Sequence, residues 1–254
     1  MAETAVKHPA KPKVQRPVRS ANVPPGLAKW MDGVDRNVPG PHWRDYESEI
    51  RTTIKDYDRN LRGVAGYRSP DFSLMKAIIW AENDPGDPSW NRRPMQIGNS
   101  GDPGLRDVLR PNGAGKIIVP AQWQERLSAS ATSNPQDNIR AAIGYVLVVA
   151  SQSDLRTVVE PGAPIFEIEA AKGDTLDAIA RHYGSTTDHL RRLNGSSALR
   201  PHQKVKVQKA KVMRVIFGWD TIDKKLLKDK YNRKAGAHYE EKVQYILDYI
   251  KIYP

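Results

Sequence analysis

The stretch Ser69–Glu82, SPDFSLMKAIIWAE, predicts a helix that is apolar on nearly every side and that ends in a carboxylate. Ser69, Pro70 and Asp71 have the pattern of a helix start, with a hydroxyl cap, a proline at the first helical position and an acid in the first turn. A helix of this composition is expected to be buried on most of its surface. Because burial disfavours the charged form of a carboxyl group, we expect the pKa of Glu82 to be raised towards the range in which it can deliver a proton. An ordinary surface glutamate at a helix end is the alternative.

The composition bounds the class of protein. The chain has 254 residues, which is enough for one large domain or two modest ones. Its formal net charge of +11 indicates an anionic partner such as nucleic acid, an acidic surface or an anionic polymer. The absence of cysteine excludes disulfides and thiol chemistry. The longest strongly apolar run, residues 141–150, is too short to cross a bilayer, so no membrane span is predicted.

Metal, cofactor and nucleic-acid functions are not supported by motifs. The six histidines do not have the spacing of metal ligands, so we predict no metal and no cofactor. The positive charge is not accompanied by an aromatic and basic motif, so we predict no nucleic-acid partner. An anionic cell wall suits the same charge.

Residues 1–25 are basic and rich in proline, and they predict a disordered tail. The N-terminal region lacks the apolar core of a secretory signal, so we expect delivery by another route. Residues 42–62 then carry apolar side chains at steps of three and four, which predicts an amphipathic scaffold helix. A second apolar helix is predicted after a cap at Asn134, and it carries Tyr145.

The composition changes again at residue 160, and residues 160–209 predict a compact unit of strand, helix, helix and strand. This unit, called the module below, resembles the LysM peptidoglycan-binding module. The resemblance rests on Gly173-Asp174-Thr175-Leu176, Ile179-Ala180, Tyr183-Gly184, Leu193-Asn194-Gly195 and Pro201-His202-Gln203-Lys204-Val205. It implies a glycan site with Gly173, Asp174, Thr175 and Leu176 on one wall and Leu199, Arg200 and Pro201 on the other. Where that family usually has Pro-Gly before the last strand, this chain has Pro201-His202.

The remainder of the chain resembles the lysozyme-like fold of soluble lytic transglycosylases and goose-type lysozymes. The resemblance rests on an apolar helix ending in Glu82, then Met95-Gln96, a helix with Tyr145, and Tyr231-Asn232 before a terminal helix. Asn83 stands where the family usually has Ser, and Arg93-Pro94 stand where it has Gly-Leu. The resemblance implies an α+β protein, in which a mainly helical catalytic domain of residues 26–159 and 210–254 is interrupted by the module. The short junctions at residues 159–164 and 209–211 are expected to hold the module near the active cleft.

This second resemblance implies an enzyme that cleaves the β-1,4 bond between N-acetylmuramic acid and N-acetylglucosamine in peptidoglycan. Glu82 would act as general acid and then as base, and the substrate-binding residues would be Met95, Gln96, Tyr145, Tyr231 and Asn232. A lytic transglycosylase needs only one carboxylate and gives a 1,6-anhydro product, and we favour it because no second acid stands out.

Two alternatives remain. A hydrolytic muramidase would use a second carboxylate, for which Asp84, Asp87 and Asp102 are available. A non-catalytic cell-wall-binding component of a phage tail or secretion machine would need only the module. The expected partners are peptidoglycan glycan strands, met in the periplasm or outside the cell after delivery by a phage or a secretion machine. A secreted toxin would imply an inhibitory immunity protein as a further partner.

Overall fold

The fold combines a helical body with a small unit of two strands and two helices, joined by a two-stranded ribbon, which confirms the α+β class. The computed structural model describes residues 14–196, 198–232, 236 and 238–254. The helices are α1 (Pro25–Asn37), α2 (Glu47–Leu61), α3 (Phe72–Glu82), α4 (Gly104–Val108), α5 (Gly115–Ile118), α6 (Ala121–Ser130), α7 (Pro135–Ala150), α8 (Leu176–Tyr183), α9 (Thr187–Asn194), α10 (Lys224–Leu226) and α11 (Tyr239–Ile252). The strands are β1 (Ser151–Val159), β2 (Phe166–Glu169), β3 (Lys204–Val207) and β4 (Ala210–Trp219). No helix within the described ranges has the length and apolarity needed to cross a membrane.

The predicted apolar helix is α3, and it lies in the core of the body between α2 and α11. All side chains of residues 74–81 are buried. The one charged group among them, Lys76, lies with its Nζ atom 2.6 Å from Glu47 Oε1 and 3.8 Å from the ring centre of Trp43. Burial of a charge is tolerated here because the ammonium group has both an ion-pair partner and an aromatic face.

The start of α3 differs from the prediction. The carboxylate of Asp71 accepts a hydrogen bond of 2.8 Å from the Leu74 amide, so Asp71 and not Ser69 is the N-cap. The Ser69 hydroxyl instead donates to Asp58 Oδ2 at 2.9 Å. Aspartate and serine are equally good caps, and the hydroxyl is already engaged by the neighbouring helix α2.

The module is set apart from the body by the ribbon. Strands β1 and β4 pair antiparallel from Ser151 opposite Trp219 to Val159 opposite Ala210. Nine strand residues at about 3.4 Å each give the ribbon a length of roughly 30 Å. The predicted junctions are short, since only residues 160–165 and 208–209 separate the ribbon strands from the strands of the module. The ribbon itself was not predicted, and the closeness of the module to the cleft stays a prediction. The chain leaves and re-enters the body through a paired ribbon, whose strand character was hidden because only Ala210 and Ile216 in it are fully buried.

The module has the predicted order of strand, helix, helix and strand, with β2 and β3 paired antiparallel. Thr175 and Thr186 cap α8 and α9, and glycines in the left-handed region end both helices, Gly184 with φ +66° and Gly195 with φ +70°. Its core is separate from that of the body and consists of Ala170, Leu176, Ile179, Ala180, Leu190, Val205 and Val207.

The segment before α1 differs from the predicted disordered tail in residues 14–24, whereas residues 1–13 lie outside the described residues. Arg19 donates from Nη2 to the buried carboxylate of Asp35 at 2.7 Å. The other oxygen of Asp35 accepts from the Tyr245 and Tyr249 hydroxyls at 2.6 and 2.7 Å. These hydrogen bonds and Arg19 hold the pKa of Asp35 below its usual range, against the effect of burial. A buried carboxylate needs such partners, and they attach this segment to α1 and α11.

Candidate active site and glycan-binding module

A cavity of about 320 Å³ in the helical body brings together every cleft residue predicted from the sequence. Its rim also includes Asp102 and the neighbouring residues 99–103. The six predicted residues that line it are Glu82, Met95, Gln96, Tyr145, Tyr231 and Asn232. They come from α3, the loop that follows it, α7 and the turn before α11, so tertiary packing alone unites them.

Glu82 occupies the last position of α3, and its side chain closes one wall of the cavity. Asn232 donates from Nδ2 to Glu82 Oε1 at 2.9 Å. Part of the residue's surface is open to the cavity, while most of the surroundings of the carboxyl group are protein. Burial raises the pKa of Glu82, and nearby Asp102 adds to the rise, whereas Tyr239, Asn232 and Lys242 oppose it. The net direction is upward, which favours the protonated form.

Tyr239 lies next to the same carboxyl group. Its hydroxyl is buried and makes no hydrogen bond of good geometry with a described residue, although it is close enough to Glu82 to affect the pKa of both groups. Burial and the proximity of Glu82 raise the pKa of Tyr239 well above its ordinary value, so the phenol stays neutral. This residue was not predicted from the sequence, because Tyr239 fits the apolar face of the terminal helix, α11, and has no other distinguishing feature.

Two tyrosines form the aromatic part of the cavity. The ring centres of Tyr145 and Tyr231 are 5.5 Å apart, and the Tyr231 hydroxyl donates to the carbonyl of Met95 at 3.2 Å. Tyr231 ends a π-helical turn, Leu227–Tyr231, that follows α10. The bond to Met95 joins this turn to the loop on the other side of the cavity.

Hydrogen bonds with Asn138 of α7 fix the loop that carries Met95 and Gln96. The fully buried amide of Asn138 accepts from the Met95 amide at 3.0 Å and donates to the carbonyls of Ile97 at 3.1 Å and Ala131 at 2.8 Å. Between the two held positions, Gln96 has φ +56°, which is unusual for a residue with a side chain. Asn138 was not predicted, although an asparagine inside an apolar helix is a signal that could have indicated it.

A chain of side-chain hydrogen bonds connects this loop to the end of α3. Asn99 donates to Gln96 Oε1 at 2.6 Å, and Gln96 donates from Nε2 to Ser89 Oγ at 2.7 Å. The Ser89 hydroxyl donates to Asn83 Oδ1 at 3.1 Å, and the Asn83 amide donates to the Arg93 carbonyl at 3.3 Å. Asn83 departs from the family pattern and directly follows Glu82. Its hydrogen bonds thus connect the loop to the end of α3.

Of the three carboxylates considered as a second acid, only Asp102 lines the cavity. Its two oxygens accept from the Gly98 and Gly104 amides at 2.9 and 2.8 Å. Asp84 and Asp87 lie outside the cavity lining, where they accept from backbone amides of the turn that follows α3.

In the module, backbone hydrogen bonds join the two predicted glycan-binding loops: His202 donates to the Ala170 carbonyl at 2.8 Å, and Ala170 donates to the Gln203 carbonyl at 2.9 Å. Gly173, with φ +91°, forms the turn in the first loop. The Asp174 carboxylate accepts from the Ala171 amide at 2.7 Å and fixes that turn.

The predicted glycan-binding side chains differ in exposure. Gly173, Thr175, Arg200 and Pro201 are exposed, Asp174 is partly exposed, and Leu199 is partly buried against the module core. Leu176 is only 2% exposed and belongs to that core. The side chain of Leu176, at the first helical position of α8, therefore points inward, and its place in the predicted glycan-binding wall stays a prediction.

His202, which replaces the usual glycine, has φ +63°. The left-handed region explains why glycine is preferred at this position. The ring Nδ1 of His202 lies 2.5 Å from Glu169 Oε1, so a partner on β2 holds the histidine in this conformation.

A family model described as the LysM domain matches residues 169–208. The module is a LysM domain. LysM domains bind peptidoglycan and related glycans, so this part of the chain is a glycan-binding unit. Searches of curated proteins and of solved structures found no match.

Proposed function

We propose that the chain is a peptidoglycan-cleaving enzyme that acts on the β-1,4 bond between N-acetylmuramic acid and N-acetylglucosamine. One observation carries the proposal. The carboxyl group of Glu82, with a raised pKa and a 2.9 Å hydrogen bond from Asn232, lines the same cavity as all the other residues of the predicted pattern. A protonated carboxylic acid is what departure of a sugar oxygen requires.

In the favoured lytic route, Glu82 is the only acid and base. Its proton passes to the glycosidic oxygen as the bond from that oxygen to muramyl C1 breaks, and N-acetylglucosamine leaves with a free hydroxyl. Muramyl O6 then bonds to C1, and its proton returns to the Glu82 carboxylate. The product is a 1,6-anhydro ring, and no water is consumed.

The surrounding residues position the sugar and the acid. Asn232 holds one oxygen of Glu82 in place. The Tyr145 and Tyr231 rings, which are almost fully buried, form the aromatic part of the wall of the proposed sugar site. Gln96, fixed by Ser89 and Asn99, presents a rigid amide beside Met95.

Hydrolysis with Asp102 as the second carboxylate is the second candidate, and the position of Asp102 in the cavity favours it over Asp84 and Asp87. Both Asp102 oxygens already accept backbone hydrogen bonds, which suits a residue that fixes the loop at Gly98 and Gly104. This engagement supports the lytic route.

The test is the digestion of purified peptidoglycan by wild type and by Glu82→Gln. We expect the variant to lose about 10²–10⁴-fold in rate, the typical contribution of a general acid. Mass spectrometry of the wild-type digest then identifies the route, because the anhydro product is one water lighter than the hydrolytic one. Cleavage by Glu82→Gln at the wild-type rate would leave the glycan-binding component as the function of the chain.

A further inference from the structure

A second cavity, of about 330 Å³, lies directly beside the cleft. Tyr145 lines both cavities. The consecutive residues Lys230 and Tyr231 also face different sides, with Lys230 lining the second cavity and Tyr231 lining the cleft. Gly104 at the start of α4 permits this arrangement, because a Cβ atom there would lie 3.0 Å from Tyr145 Cδ1.

The second cavity is positively charged. Of the described residues that line it, Arg110, Arg214 and Lys230 are cationic and Asp107 is the single carboxylate. Arg110 pairs with Asp107 at 2.6 Å, and Lys230 pairs with Asp220, outside the lining, at 2.5 Å. The lining therefore carries an excess of positive charge that is directed at the space next to the cleft.

Arg214 is the cation in this lining whose guanidinium has a hydrogen-bond donor and a charge left for a ligand. Its guanidinium donates only to neutral oxygens, from Nε to the Asn112 carbonyl at 2.7 Å and from Nη1 to Ser153 at 3.3 Å. In the described part of the chain no carboxylate lies within ion-pair distance of it, and its Nη2 atom makes no hydrogen bond. A half-buried guanidinium held by two fixed contacts is preorganised for a carboxylate, and its screening by water is reduced.

We propose that this cavity binds the carboxylates of the stem peptide of peptidoglycan, on the same strand that the cleft holds. The inference rests on the proposed function. Stem peptides are attached to the lactyl group of N-acetylmuramic acid, so a muramyl residue at Glu82 projects its peptide into the space next to the sugar site. The substrate class is thus peptide-bearing glycan rather than bare glycan, and Arg214, Arg110 and Lys230 are the groups that select it.

The experiment measures equilibrium binding of two soluble glycans to the full-length Glu82→Gln chain, so that turnover does not interfere. One glycan carries its stem peptides, and the other is the same preparation after an amidase has removed them. We expect about tenfold tighter binding of the peptide-bearing glycan, the size of one charge-assisted hydrogen-bond pair, with the preference weakening as salt is raised. Conversion of the peptide carboxylates to amides should remove the preference.

Variants in the Glu82→Gln background identify the cavity. Arg214→Gln should bring the ratio of the two affinities close to one. Arg110→Gln is the second variant, because its one ion pair is with Asp107 of the preceding helix and its loss does not loosen β4. Arg156→Gln is the matched control: Arg156 has the same charge, lies on β1 of the same ribbon over the Phe217 ring, and does not line the cavity.

The outcomes separate this inference from the proposed function. Equal binding of the two glycans by the Glu82→Gln chain, or a preference that survives both Arg214→Gln and Arg110→Gln, overturns the stem-peptide site whatever the cleavage assay gives. Undiminished cleavage by Glu82→Gln overturns the proposed acid, and the affinity ratio is then read at early times before turnover.

Discussion

The cleft and the predicted glycan-binding loops of the LysM domain are built in opposite ways. Glu82 depends on groups from distant parts of the chain, such as Asn232, and on burial that raises its pKa. The loops at Gly173 and Pro201 are exposed, and short-range turns fix them. A group that must change its protonation state needs a desolvated site, whereas a surface that only grips sugar hydroxyls works in contact with water.

The largest expected effect is on the free energy of unfolding, and it comes from replacing two asparagines that each bind backbone groups, one in each region. Asn138 makes three hydrogen bonds to backbone in the buried body, and Asn194 also makes three, to Leu190 and Lys206 in the domain. Asn138→Ala leaves buried backbone groups unpaired and should lower the free energy of unfolding of the body by about 3 kcal/mol. Asn194→Ala, where water reaches the same groups, should cost about 1 kcal/mol. Chemical denaturation measures both values.

The same two variants should also differ in their cleavage of glycan. Asn138→Ala should reduce cleavage of soluble glycan because the loop with Gln96 loses its support, and Asn194→Ala should leave that cleavage unchanged. Equal losses of stability in the two variants would contradict the difference in burial on which the comparison rests.

Removal of the LysM domain tests whether the two regions are independent. Val159 and Ala210 are paired in the ribbon, so residues 160–209 can be replaced by an Asn-Gly turn that closes the hairpin. We expect binding to insoluble cell wall to weaken at least about tenfold, because two-point attachment is lost. Turnover of short soluble glycans should stay within about twofold. Wall binding as strong as that of the intact chain would show that the domain does not anchor the chain to the wall.

The difference between wild type and Glu82→Gln in the pH dependence of stability isolates the cleft. The pKa of Glu82 is about 4.5 in an unfolded chain and higher in the folded one. The unfolded state therefore releases its proton first, and wild-type stability falls as pH rises from about 4.5 through the folded pKa. Glu82→Gln lacks this loss and should be the more stable protein at neutral pH, by at most about 1.4 kcal/mol for each pH unit of the window. Parallel stability curves for the two proteins would mean that the carboxyl group is not desolvated.

The smallest effect is expected in the domain. His202→Gly removes a left-handed residue that costs about 1 kcal/mol, and it loses an exposed contact with Glu169 that contributes little. We expect a gain in stability of less than about 1 kcal/mol after the entropy of glycine is subtracted, visible as a slightly higher unfolding temperature of the domain. A lower unfolding temperature would assign His202 and Glu169 a stabilising role.

Features were predictable from the sequence when the interacting residues lie close together along the chain. The LysM domain was predictable because its caps at Thr175 and Thr186 and its helix stops lie within a few residues of what they fix. The cleft residues could be named only by pattern. Tyr239 could not be named, since nothing local distinguishes a phenol that serves a site from one that fills a core. Asn138 was missed although an asparagine inside an apolar helix is a signal.

The ribbon and the attached N-terminal segment were missed for a related reason. No residue of β1 is fully buried, and its partly buried and exposed positions do not alternate regularly, so it lacks the pattern that predicts a strand. The segment before α1 has the composition of a tail. It is attached through Arg19, which binds Asp35, and Asp35 in turn accepts hydrogen bonds from tyrosines more than 200 positions away.

The position of the insertion sets an order of events during synthesis. Glu82 is made before the LysM domain, while Asn232 and Tyr239, which surround its carboxyl group, are made after it. The ribosome therefore completes the LysM domain before Glu82 acquires these neighbours. A chain truncated before Asn232 carries the glutamate without the two groups that surround its carboxyl group, so we expect its pKa to lie closer to the ordinary value.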